Sequence, residues 1–301
     1  LVGARYGADI TLIEDNGLGG SGVIDDCVPS KSFIAGANVK TDLRRAEDMG
    51  LSMKLAEDAA GAGSTRLVTA LNSRVRQLAG KQSNDIYRSV ERAGVRIIAG
   101  RGTFDDYNLN QTVHYIRVEH ANGTVETIEC DLVLVATGAS PRILPGAQPD
   151  GERIVTWQQI YNITELPEHL IVVGSGVTGA EFVSAFAELG VKVTMVASRD
   201  RILPHDDADA ADVLETVLTE RGVSLVKHAR VDSVVRMDDG GVLVRTSDGR
   251  EIRGSHALMT VGSIPNTRNM GVESIGMETT PSGHIKVDRV SRTNVPGVYA
   301  A

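Results

Sequence analysis

The chain of 301 residues is long enough for two domains, and 42% hydrophobic with 23% charged residues excludes wholesale disorder. With 31 basic against 39 acidic residues the net charge is −8, which leaves no basic footprint for nucleic acid or an anionic membrane surface. Two cysteines exclude a disulfide scaffold and point to a reducing, cytoplasmic setting, and no apolar run nears the ~20 residues that span a bilayer.

The chain opens on LVGARYGADITLIED, read as the tail of an apolar helix, a glycine cap at Gly7 and a strand ending at Glu14. Residues 19–31, GGSGVIDDCVPSK, bring one cysteine, Cys27, to the start of a predicted helix that Pro29 is placed to open. A cysteine at a helix N-terminus faces the positive end of the helix dipole, which favours a thiolate. Residues 113–141 predict a strand, an Asn122-Gly123 turn and a second strand, then a buried strand running to Thr137 and Gly138. Cys130, just ahead of that strand, reads as a small core residue.

Residues 170–197 form the best-defined unit. An apolar run, LIVV, leads into GSGVTG, with glycines at Gly174, Gly176 and Gly179. A predicted helix, AEFVSAFAEL, a glycine cap at Gly190 and the strand VKVTMV follow. A G-x-G-x-x-G loop between strand and helix is the context that makes this motif specific for dinucleotides. Gly190 and Gly7 hold the same place in two copies of one pattern. The matching glycine loop of the first copy is therefore expected to precede residue 1.

Further on, 204–215 is expected to open a helix with acids in its first turn, where the dipole favours them. His205 there has no His or Cys partner at ligand spacing, so no metal site is expected. Residues 242–265 repeat the earlier hairpin with Asp248-Gly249 and end on a strand reaching Gly262. The tandem repeat points to two nucleotide cofactors in one enzyme.

In this fold an acid after the glycine loop binds ribose hydroxyls, while a nearby arginine favours a 2′-phosphate. Seven residues after Gly7 stands Glu14, suited to an unphosphorylated ribose, as in FAD. Seven residues after Gly190 stands Ala197, followed by Ser198 and Arg199. NADPH is therefore expected to be accepted and preferred, with NADH possible.

GLGGSGVIDDCVPSK, LVLVATGASP, VVGSGVTGAE, LMTVGSIPN and VDRVSRTNVPGVYAA, in this order over essentially the whole chain, resemble the pyridine nucleotide–disulfide oxidoreductases. The resemblance implies an α/β fold of tandem Rossmann-like domains, FAD in 1–150 with 280–301 and NAD(P)H in 151–279. It implies a chain truncated at both ends, without the first glycine loop and the C-terminal domain through which full-length members form homodimers. It also implies that Lys31 and Glu181 form an ion pair beside the flavin. Glu14, Gly20, Ser21, Gly102, Thr137 and Gly138 would contact FAD. Gly174, Gly176, Gly179, Ser198, Arg199 and Gly262 would serve the nicotinamide nucleotide.

The family's paired cysteines fall on Gly22 and Cys27. With one thiol no redox disulfide forms there, because exchange needs an attacking and a resolving sulfur. The expected activity is hydride transfer from NAD(P)H to flavin and on to a quinone-type acceptor, as in lipoamide-dehydrogenase-like quinone reductases. Cys27, Lys31 and Glu181 are the expected catalytic residues. Dihydrolipoamide dehydrogenase activity and a non-catalytic nucleotide-binding role are the alternatives.

Overall fold

The computed structural model describes residues 1–51, 62–105 and 113–301. The chain divides into two compact units: Leu1–Ile24, Lys81–Ser140 and Ser263–Ala301 form the first, Asp25–Gly80 and Pro141–Gly262 the second. This division differs from the expected 1–150 with 280–301 against 151–279. Residues 25–80 join the second unit because Phe33 on the helix Cys27–Asp48 packs within 5.3 Å of the Phe186 ring centroid and 6.5 Å of Phe182. Residues 263–279 join the first because Met270, Val272, Ile275 and Met277 share a core with Ile98, Phe104 and Ile116.

In the first unit Thr11–Glu14 pairs in parallel with Arg96–Ala99, and Val133–Val135 with Val298–Ala300. Arg101–Phe104, His114–Glu119 and Val125–Cys130 form an antiparallel sheet whose Asn122-Gly123 turn is closed by His120 and Thr124. The burial of His114–Glu119 alternates, as expected of a strand with one covered face.

The second unit is built on a five-stranded parallel sheet, in the order Ser224–Val226, Lys192–Val196, His169–Val173, His256–Met259, Ile154–Thr156. Its central strand is buried from Leu170 to Val173, which explains a continuous apolar run instead of an alternating one. The strand order reverses beside His169–Val173, so the turn after Val173 opens at a topological switch point, where open α/β sheets bind ligands. The helix Val177–Glu188 covers one face with Phe182, Val183 and Phe186. It begins inside the glycine loop, three residues earlier than expected from the sequence. The antiparallel hairpin expected around Asp248-Gly249 is present, as Val242–Thr246 against Glu251–Gly254. The acidic helix starts later than expected, at Ala208, with Asp207 capping Asp209 and Ala210. No helix of the described residues is long and apolar enough to cross a membrane.

Candidate active site

The glycine loop of the second unit is shaped by close backbone approach. A Cβ on Gly174, which has φ +116°, would lie 2.3 Å from the Thr260 carbonyl oxygen, and one on Gly179 would lie 2.2 Å from the Gly174 carbonyl oxygen. These two glycines let the helix start tightly against the sheet. Gly176 differs: a Cβ there would meet nothing within 4 Å. It is the N-cap of a 12-residue helix and offers no side chain to the first amides. An open approach to a helix N-terminus fits a pyrophosphate, which needs close backbone contact and a positive dipole end. Thr260 holds the loop, its hydroxyl donating to Val173 at 2.9 Å and Gly174 at 3.2 Å.

Ser198 and Arg199 are exposed just beyond Lys192–Val196, while Ala197 is buried. The turn is tied down by its backbone. Ala197 donates to Val226 at 2.9 Å, and the Arg199 carbonyl accepts from His228 at 3.0 Å. The Arg199 guanidinium makes no ion pair with a described residue. Gly262, at φ +92°, accepts from the Arg142 amide.

The structure brings Lys31 and Glu181 together across 150 residues of sequence, with Nζ 2.6 Å from Oε1. The aromatic packing explains how. Phe33 follows Lys31 by two residues, Phe182 follows Glu181 directly, and these rings dock the two helices that carry the pair. Thr41 bonds Glu188 further along the same two helices, and Lys40 donates to the Leu189 carbonyl. The bond to Glu181 holds the Lys31 ammonium above the ordinary lysine range. The pair is not buried: the side chains are 58% and 23% exposed. Both ends sit near the helix starts, where solvent still reaches them.

Cys27 is exposed and is the first residue of its helix, two residues before Pro29, which had been expected to open it. Pro29 fits the first turn all the same, since its missing amide has no partner to lose there. Asp25 and Asp26 precede the thiol, and burial pushes both carboxyls above their ordinary range. Gln158 donates to Asp25 at 3.3 Å. The Tyr161 hydroxyl is buried without a hydrogen-bond partner among the described residues, and its proton is held far above the usual phenol range by burial and by Asp26, Glu181 and Asp25. Asp26 and Tyr161 escaped the sequence reading. The adjacent acids were a visible signal, but a tyrosine 135 positions beyond Asp26 carried none.

In the first unit Glu14 uses one oxygen, Oε1, to accept from the Asn16 and Gly17 amides at 2.9 and 3.3 Å. Oε2 accepts no hydrogen bond from a described residue. Gly20, Ser21 and Gly22 lie on the short helix Gly20–Ile24. A Cβ on Gly22 would meet nothing within 4 Å, so sterics do not account for the missing cysteine. Gly102 pairs with Val118 in its sheet, and a Cβ there would press Ile116 at 3.3 Å, so the strand packs closely at this glycine. Asn266 holds the Thr137–Gly138 turn, donating to both carbonyls at 3.0 and 2.9 Å and accepting from Ser140 at 2.7 Å. Cys130 ends a strand, donates weakly to the His114 carbonyl and has its thiol pushed up by burial. Such a thiol is a poor nucleophile.

A family model described as pyridine nucleotide-disulphide oxidoreductase matches residues 1–301. The chain belongs to this family. Within the family it is 52% identical over 292 residues to an NAD(P)H dehydrogenase (quinone) of Mycobacterium tuberculosis, covering 97% of this chain and 58% of that protein. It is 30% identical over 300 residues to a dihydrolipoyl dehydrogenase of Chlorobaculum tepidum, covering 99% and 61%. The chain thus spans about three-fifths of the length of these pyridine nucleotide–disulphide oxidoreductases. The crystal structure of LpdA from Mycobacterium tuberculosis superposes with a TM-score of 0.92 at 51% identity, over 100% of this chain and 63% of that one. The flavoprotein disulfide reductase RclA of Escherichia coli shares the fold, with a TM-score of 0.79 at 23% identity over 99% and 61%.

Proposed function

We propose that this chain serves an FAD-dependent oxidoreductase that takes hydride from NAD(P)H and passes electrons directly to a quinone-type acceptor, without a dithiol relay. The observation that carries the reading is the pairing of Gly22 with a single exposed Cys27, the other cysteine being a partly buried strand residue. The name of the 52% identical relative agrees with it. The 30% identical dihydrolipoyl dehydrogenase is the more distant match.

Bound FAD supplies the two-electron chemistry, accepting hydride from reduced nicotinamide and returning electrons to the acceptor. Gly174, Gly176 and Gly179 would seat the nicotinamide dinucleotide's pyrophosphate at the helix N-terminus, with Gly262 on the same unit. Glu14, Gly20, Ser21, Gly102, Thr137 and Gly138 would hold FAD. Lys31, kept protonated by Glu181, supplies a fixed positive charge where negative charge develops on hydride arrival. Ser198 and Arg199 would bind a 2′-phosphate, giving a preference for NADPH through charge-assisted hydrogen bonds. Full-length protein would work as a homodimer.

The test uses the FAD-loaded full-length protein. NADPH oxidation is followed with a soluble quinone, and NADH production with dihydrolipoamide. Turnover with quinone and none with dihydrolipoamide supports the reading; the reverse overturns it. A bound flavin that NADPH does not bleach would favour a non-catalytic role. An unchanged NADPH-to-NADH ratio of KM in Arg199→Ala would remove the NADPH preference alone.

A further inference from the structure

Glu215, on the helix Ala208–Glu220, is largely buried, with 13% of its side chain exposed. Its Oε1 accepts the Ile202 amide at 2.9 Å, and its Oε2 accepts Lys227 Nζ at 2.5 Å. Ile202 lies three residues after Arg199, and Lys227 directly follows the strand Ser224–Val226. One carboxylate therefore ties the turns that leave two neighbouring parallel strands. The next amide along, Leu203, donates at 2.7 Å to the carbonyl of Ser175, inside the glycine loop. Leu203 does so at φ +45°, a conformation that a branched side chain rarely adopts and that the surroundings must hold in place. His228, at φ +52°, donates to the Arg199 carbonyl. Arg250 Nη2 donates to the carbonyls of Lys227 and His228 at 3.2 and 3.0 Å, while Asp248 holds its guanidinium. The turn that carries Ser198 and Arg199 is thus braced from the helix below, from the neighbouring strand end and from the glycine loop.

We propose that Glu215 is a positioning residue for the nicotinamide nucleotide. It fixes the Ser198–Arg199 turn in register with the glycine loop, and so sets affinity for NADH and NADPH alike, whereas Arg199 sets the choice between them. The inference rests on reading this unit as the NAD(P)H site. Glu215→Ala removes both bonds. Glu215→Gln keeps an acceptor for Ile202 and loses the ion pair, and Lys227→Met loses the ion pair alone.

The test is steady-state kinetics of the FAD-loaded enzyme with NADH and with NADPH, beside melting temperatures. Glu215→Ala is expected to raise KM for both nucleotides about tenfold, for NADPH at least as much as for NADH, with kcat held, as fits loss of a hydrogen bond to a charged group. Glu215→Gln and Lys227→Met are expected to give smaller rises, about threefold. If Glu215→Ala does not fold, those two variants decide. Unchanged KM in every folded variant overturns the inference, and so does a fall in kcat at constant KM. Failure of the underlying reading looks different: wild-type enzyme would then show no saturable binding of NADH or NADPH. If Arg199→Ala leaves the ratio unchanged while Glu215→Ala raises both KM values, the positioning role stands.

Discussion

Replacing Lys31 with methionine separates a structural ion pair from a working one. At 2.6 Å the attraction between Nζ and Glu181 Oε1 is about 1.6 kcal/mol in a water-like dielectric, from 332/(80 × 2.6). Lys31 is 58% exposed, so screening and the entropy of ordering a long side chain take back most of that. The net contribution to folding is then ~0–1 kcal/mol, within the range of exposed pairs. Lys31→Met should therefore move the melting temperature by no more than a few degrees. Its effect on turnover is set by other physics. A fixed positive charge aimed at developing negative charge acts in the transition state, and removing one such group costs about 10²-fold in kcat. The assay is NADPH:quinone turnover in FAD-loaded enzyme, with melting followed by flavin fluorescence and circular dichroism. Glu181→Gln keeps a hydrogen-bond acceptor for Lys31 and should lose less. A large fall in melting temperature with turnover barely changed would refute the reasoning and make the pair a helix-docking device.

The loop glycines should fail in different ways. Gly179→Ala presses the Gly174 carbonyl and should cost about 1–3 kcal/mol of stability, seen as a lower denaturation midpoint. Gly176→Ala should cost under about 1 kcal/mol, yet raise KM for NAD(P)H about tenfold or more because its methyl points into open space at the helix N-terminus. Phe33→Ala empties a fully buried site beside Phe186 and should cost about 3–5 kcal/mol, detected by urea unfolding of the second unit. For pH, burial and Arg153 hold His256 down at about 4, and burial with Lys192 lowers His169. The unfolded chain binds these protons first, so their contribution is present above about pH 6.5 and is lost progressively as pH falls towards 4. Urea midpoints in His256→Gln should be flatter than wild type across that window, and an identical slope would count against the assignment.

Much of the second unit's local structure was legible because it is written in short-range patterns. The apolar run before Gly174 marked a strand, and Asp248-Gly249 marked a hairpin. Gly190 and Gly7 both adopt the positive φ, +80° and +81°, that their shared place after a helix called for. Boundaries were less legible. The helix expected from Pro29 begins at Cys27, and the acidic helix begins at Ala208, where the Asp207 carboxylate caps the Asp209 and Ala210 amides.

By itself the sequence determined which chemical groups are present: one glycine loop poised for a dinucleotide, an acid at Glu14 against Ser198 and Arg199, and a lone thiol at Cys27 opposite Gly22. These depend on local spacing, which the chain carries without reference to anything distant. Only the tertiary structure decided that Phe33, Phe182 and Phe186 dock two helices and so bring Lys31 to Glu181. Only it showed that this pair stays half in water, and that Glu215 braces a turn thirteen residues upstream. Such contacts are chosen by volume and hydrogen-bond satisfaction among groups far apart in the chain, and no local period encodes them.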